Sequence, residues 1–92
     1  MSYNLVFSTQ FKKDSKKYFK NPQKFKKVRD CLMFLEKGGV DALPAHMKPH
    51  KLSGNLSGYW ECHIEGDLLI IWRQETNAVY LVRLGSHSEL FK

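Results

Sequence analysis

The sequence predicts an α+β domain: an N-terminal strand and a helical hairpin packed on one face of an antiparallel sheet. Three observations carry this. A short β-prone run opens the chain and gives way to two stretches with helical periodicity. The apolar pattern then switches to alternation after Gly58, and the longest apolar run, Leu68 to Trp72, falls within that alternating region. Helices gathered ahead of a strand meander suit two layers around one core, and 92 residues suit a single domain spanning 1–92.

Each element has a local cause. Tyr3 to Phe7 is the β-prone run. Ser8 or Thr9 can cap a helix over Gln10–Lys20, where Phe11, Tyr18 and Phe19 share one face and leave the lysines on the others. Asn21-Pro22 breaks that helix, and Pro22 can open the next. There Phe25, Val28, Leu32 and Leu35 repeat at helical spacing, with Cys31 on the same side, until Gly38-Gly39 ends it. Val40 to Lys51 contains Pro44 and Pro49 and has no period, so a loop is expected. From Tyr59 the residues alternate: Trp60, Cys62 and Ile64 on one side, Tyr59, Glu61 and His63 on the other, which is a half-buried strand. Glu65-Gly66-Asp67 is predicted as a three-residue hairpin loop. Leu68 to Trp72 is apolar on both sides and should be the central strand. After Thr76-Asn77, Val79 to Leu84 returns as a strand that Gly85 releases into the C-terminal segment.

Composition removes several classes. An apolar content of 42% with two tryptophans and six phenylalanines argues against disorder. The opening MSYNLVF has no basic segment leading into a long apolar run, so no secretory signal is expected, and no apolar run is long enough for a membrane helix. A cytoplasmic protein is the expectation, with Cys31 and Cys62 as buried reduced thiols. The net charge of +6 is concentrated: residues 12–29 hold eight lysines and Arg29 against Asp14 alone. That block is either a solvated helix face or a surface for a polyanion or acidic partner, and its density favours the second.

The side of the sheet away from the helices is expected to hold Glu61 and His63, with His50 and His87 arriving from flanking loops. Imidazole can take and return a proton near neutrality. RNA cleavage needs such groups: a base for the 2′-hydroxyl, an acid for the departing 5′-oxygen, and a cation for the phosphate. His50, His63 and His87, with Asp67 to orient an imidazole and Arg83 to hold phosphate, would supply them. Read singly, each has an ordinary alternative: a solvated loop residue, a cross-strand partner, a helix cap, a surface cation. Phe91 either staples the C-terminus or stacks on a base. His46 and His50 have H-x3-H spacing, but no C-x2-C pair or HExxH motif accompanies them, so no metal and no cofactor are expected.

The segments His50-Lys51-Leu52-Ser53-Gly54, Glu61-Cys62-His63-Ile64-Glu65-Gly66-Asp67 and Val82-Arg83-Leu84-Gly85-Ser86-His87-Ser88-Glu89-Leu90-Phe91 resemble the YafQ family, within the RelE/ParE superfamily of bacterial type II toxins. The resemblance covers essentially the whole chain, with its motifs after residue 49. It implies a RelE-like fold and a ribosome-dependent mRNA endonuclease that works without a metal. It also implies an antitoxin that covers the active site, with operator DNA bound only through that antitoxin. The family's functional positions fall on His50, His63, Asp67, His87 and Phe91. At 61 this chain has Glu where the family can carry Asp. With the resemblance joined to the residue reading, His50 is taken as general base, His87 as general acid and His63 for the phosphate, with Glu61, Arg83 and Phe91 in substrate binding; the lysine-rich hairpin would dock on ribosomal RNA. Two other readings stand beside it: a ParE-like protein that poisons gyrase by binding, and a simple nucleic-acid-binding domain.

Overall fold

The computed structural model describes residues 2–91; Met1 and Lys92, the ends of the expected domain, lie outside them. Five strands form one sheet in the order β1-β5-β4-β3-β2. They are β1 (Asn4–Phe7), β2 (His50–Lys51), β3 (Trp60–Glu65), β4 (Leu68–Gln74) and β5 (Ala78–Ser86). Helices α1 (Thr9–Lys16) and α2 (Pro22–Gly38) follow β1, and a short α3 (His87–Leu90) follows β5. All pairings are antiparallel except one: β1 runs parallel to β5, Asn4 opposite Ala78 and Phe7 opposite Leu81.

The helices begin where their caps dictate. The Ser8 side chain accepts from the Phe11 N–H, and the Asn21 side chain accepts from the Lys24 N–H with Pro22 in the first turn. Helix α1 is shorter than its periodicity suggests. It ends at Lys16, and residues 17–20 form turns in which Tyr18 N–H donates to the Ser15 carbonyl and Phe19 N–H to Lys16. Phe19 therefore misses the core, stays largely exposed and meets Phe25 edge-on. Phe11, Val28, Cys31 and Leu35 carry the packing instead, against Cys62, Ile64, Ile70, Trp72, Val79, Leu81 and Leu84 on the sheet. As expected, β4 is the central strand, buried from Leu68 to Trp72.

Three local expectations are corrected, and each correction shapes the site. Residues 50 and 51 are an edge strand rather than loop: His50 pairs with Glu61 and Lys51 with Trp60. Two prolines and two short 3-10 turns (Gly39–Ala42 and Ala45–Met47) precede it, which hides any period. The β3–β4 connection has two residues, not three, since Glu65 pairs with Leu68 and a bulge at Ile64 takes up the extra residue. Gly85 stays within β5, paired with Leu69. A Cβ there would come within 2.9 Å of the Glu89 carboxylate and 3.3 Å of Leu90, so glycine is what allows α3 to fold back over the sheet.

Candidate active site

Cross-strand register assembles the site. Directly paired residues point to the same face, and neighbouring strands lie about 4.8 Å apart. On the face away from the core, one row runs His50–Glu61–Ile71–Arg83 across β2, β3, β4 and β5. The next row is His63–Leu69–Gly85, with α3 lying over its glycine end. Residues far apart in the chain thus share one surface.

His50 is gripped from two sides. Its Nδ1–H donates to the Lys48 carbonyl at 2.9 Å, and its Nε2 lies 3.2 Å from a carboxylate oxygen of Glu61. Lys48 offers that carbonyl from a left-handed conformation (φ 51°), and it is the one residue other than glycine with positive φ among those described. Glu61 is buried while His50 is about half exposed, so the carboxylate sits beneath the ring and can answer a positive charge on it.

His87 opens α3. Its backbone N–H donates to the Asp67 carboxylate at 3.1 Å, and its ring lies 4.8 Å from that of Phe91 one helical turn on. Asp67 therefore orients the main chain at His87, not an imidazole, and it does so from the β3–β4 turn where Gly66 supplies the positive φ. Ser86 and Glu89 form a reciprocal cap for α3: the serine side chain accepts from the Glu89 N–H and the Glu89 carboxylate from the Ser86 N–H. Glu89 also pairs with Lys17. The Lys17 hydrogen bond, followed by the bonds from Ser86, holds its carboxyl down to about 2.

Arg83 does not stand free. Its Nε–H and Nη2–H donate to Asp14 of α1, at 2.9 and 3.4 Å, and the same carboxylate accepts from the Leu84 N–H at 2.9 Å. Asp14 so covers the backbone edge of β5 beyond the end of β1. Burial opposes its ionisation, but the bonds from Arg83, Leu84 and Gln10 outweigh that and keep its carboxyl below the usual range. The Arg83 side chain as a whole keeps about one-third of its surface exposed.

His63 is half-buried and lines a cleft of about 630 Å³ beside His46, Lys27 and Lys48, along the part of the β3 edge that β2 leaves unpaired. No set of three or more His, Cys, Asp or Glu side chains among the described residues could hold a metal ion.

All seven expected site residues thus lie on or at the margin of this face. They form two tight groups, His50 with Glu61 and His87 with Asp67 and Phe91, with His63 and Arg83 at their own positions. The sequence reading missed the supports: the Lys48 carbonyl, Asp14, Lys17 and Glu89. Only Glu89 had a local signal, the S-x-x-E cap motif at Ser86.

Comparison with known proteins agrees with this picture. Residues 3–92 match the family described as the bacterial toxin of type II toxin–antitoxin system, YafQ. The mRNA interferase toxin YafQ of Escherichia coli K12 is 32% identical over 88 residues, covering 96% of this chain and 95% of that one. The crystal structure of YafQ from E. coli BL21(DE3) superposes with a TM-score of 0.88 at 28% identity, covering 98% and 99% of the two chains. The toxin of the E. coli DinJ–YafQ toxin–antitoxin complex does so with a TM-score of 0.87 at 28% identity over all of both chains.

Proposed function

Because the chain belongs to the YafQ family of type II toxins, we propose that the sheet face away from the helical core cuts mRNA by general acid–base chemistry at a ribose 2′-hydroxyl. It is the toxin of a toxin–antitoxin pair, an endoribonuclease of the mRNA interferase kind, and a cognate antitoxin is its protein partner. The observation that carries the chemistry is the two-sided grip on His50.

With Nδ1–H committed to the Lys48 carbonyl, Nε2 is the nitrogen left to accept a proton. When it takes the 2′-hydroxyl proton, the ring becomes positive beside the Glu61 carboxylate 3.2 Å away, so the charge formed in the step meets an opposite one already in place. The freed oxygen attacks the adjacent phosphorus and closes a 2′,3′-cyclic phosphate. The P–O5′ bond breaks, and His87, exposed on α3, gives its proton to the departing oxygen. The partly exposed Arg83 side chain and the His63 ring serve the phosphate. Phe91, ring against His87, stacks on a base and shares that surface with the acid.

Ribosome and mRNA are the proposed targets, in the cytoplasm. The basic block on α1 and α2 supplies salt-sensitive phosphate contacts to ribosomal RNA. Operator DNA is reached only through the antitoxin. No helix among the described residues is long and apolar enough to cross a membrane.

Mapping transcript 5′ ends after brief induction tests the reading. New ends within coding sequences are expected with the native chain and not with His87→Ala; a fully toxic His87→Ala protein would sink the chemistry.

A further inference from the structure

A second cleft opens next to the His87–Asp67 pair, and none of the roles above uses it. It measures about 370 Å³, within the range of sites for small ligands, and its wall includes Tyr18, Lys24, Gly66, Asp67 and Ser86. Tyr18 comes from the turns that end α1, Lys24 from the first turn of α2, and Gly66 and Asp67 from the β3–β4 turn. Two of these residues adjoin the chemistry directly: Asp67 holds the His87 backbone, and Ser86 precedes His87 and caps its helix.

The lining has the chemistry of a nucleotide. Tyr18 and Lys24 are both half-buried, so each lies against the protein rather than free in solvent. Lys24 forms no ion pair among the described residues, while two neighbours in the same basic block are committed, Lys17 to Glu89 and Lys27 to Glu65. Glu65 also lines the cleft, and its charge is answered by Lys27, whose hydrogen bond lowers its carboxyl below the usual range. What remains is one uncommitted ammonium, the Tyr18 ring, which packs on the core from one side and keeps part of its surface on the cleft, and a glycine turn where even a Cβ would meet nothing within 4 Å.

We infer that this cleft seats the nucleotide next to the scissile phosphate, its base against Tyr18 and its phosphate on Lys24, so that Tyr18 sets base preference at one position flanking the cut. The inference rests on the RNA-cleaving reading and names a subsite for that substrate. Stacking of one base on an aromatic ring is worth about tenfold or more in binding.

The test uses the whole chain, induced in cells, with transcript 5′ ends mapped for the native protein, Tyr18→Phe, Tyr18→Ala and Lys24→Glu. The native protein should show a base preference at a position flanking the cut. Tyr18→Phe should keep it, Tyr18→Ala should lose most of it and cut about tenfold less, and Lys24→Glu should cut less and weaken the same preference. If Tyr18→Ala fails to fold, Lys24→Glu decides alone, since its side chain lies on a helix surface. No preference in the native protein, or the same preference in both charge and ring variants, overturns the inference. So does a loss of antitoxin affinity with unchanged cleavage, which would make the cleft a protein contact. Native protein that yields no new ends defeats the RNA-cleaving reading itself, and this subsite with it.

Discussion

The two faces of the sheet are made from alternate residues of the same strands, yet different forces hold them. On the helix side, Cys62, Ile70, Trp72, Val79 and Leu81 are sealed under Leu35, Cys31 and Val28, and burial of apolar surface does the work. On the other side, Glu61 and Arg83 stand one pleat away: Glu61 lies against His50, which the Lys48 carbonyl holds, and Arg83 is fixed by the Asp14 carboxylate. The first face tolerates exchange of one apolar shape for another. The second depends on particular atoms brought from distant segments, because a polar group there is held by direction as well as by contact. Stability and the proposed activity should thus be separable within one sheet.

Removing the imidazole of His87 is the sharpest way to break the comparison. His87→Ala should lower cleavage by about 10²–10⁴-fold, abolish growth arrest, and leave the melting temperature and antitoxin binding unchanged. The reverse is expected on the sealed face. Leu35→Ala should cost about 2–5 kcal/mol, seen as a lower urea midpoint, while cleavage per folded molecule persists. If Leu35→Ala destroyed catalysis in protein that remained folded, the faces would not be separable.

Asp14 lies on the boundary. Asp14→Ala strips both the Leu84 N–H and Arg83 of their acceptor and should cost about 1–3 kcal/mol; it should also slow cleavage by releasing Arg83. Loss in only one of the two measurements would place Asp14 wholly on one side of the division.

Glu89 gives a pH test. Its carboxyl is held at about 2, against 4.5 for a free one. Its contribution is therefore fully present above about pH 4.5 and is lost as the pH falls through 2. The difference in melting temperature between the native chain and Glu89→Gln should shrink across that interval, and less sharply at high salt, because the Lys17 pair is exposed. The smallest effect concerns the thiols. Cys31 and Cys62 lie 3.6 Å apart with no exposed surface, and their mutual hydrogen bond, with burial, pushes the Cys62 thiol up. Neither should be alkylated by iodoacetamide until the chain unfolds, as mass spectrometry would record.

What could be read from the sequence was whatever has a short-range cause. The cap at Ser8, the break at Asn21-Pro22, the core face of α2 and the central place of β4 follow from residues within a few positions of one another. The site residues were recognised through their motifs, and their chain order already suggested a shared face. Their supports were not legible: Asp14 and Arg83 are 69 positions apart and Lys17 and Glu89 are 72, so no local pattern joins them. The lysine-rich block looked like one surface, whereas Lys17 and Lys27 are ties that hold α3 and the end of β3. The register of His50 with Glu61 was hidden for the same reason, since a two-residue strand has no period of its own.

The parallel seam between β1 and β5 has a temporal side. Its partners stand 74 positions apart, almost the whole length of the polypeptide. A chain made from its N-terminus carries the first strand unmatched until the last one has been made, and closing so large a loop is an entropic toll levied late in folding. Segments that fold late are also the ones a newly made molecule lacks longest. The row that ends at Arg83, and the short helix that carries His87, are therefore completed only once the last strand has been made.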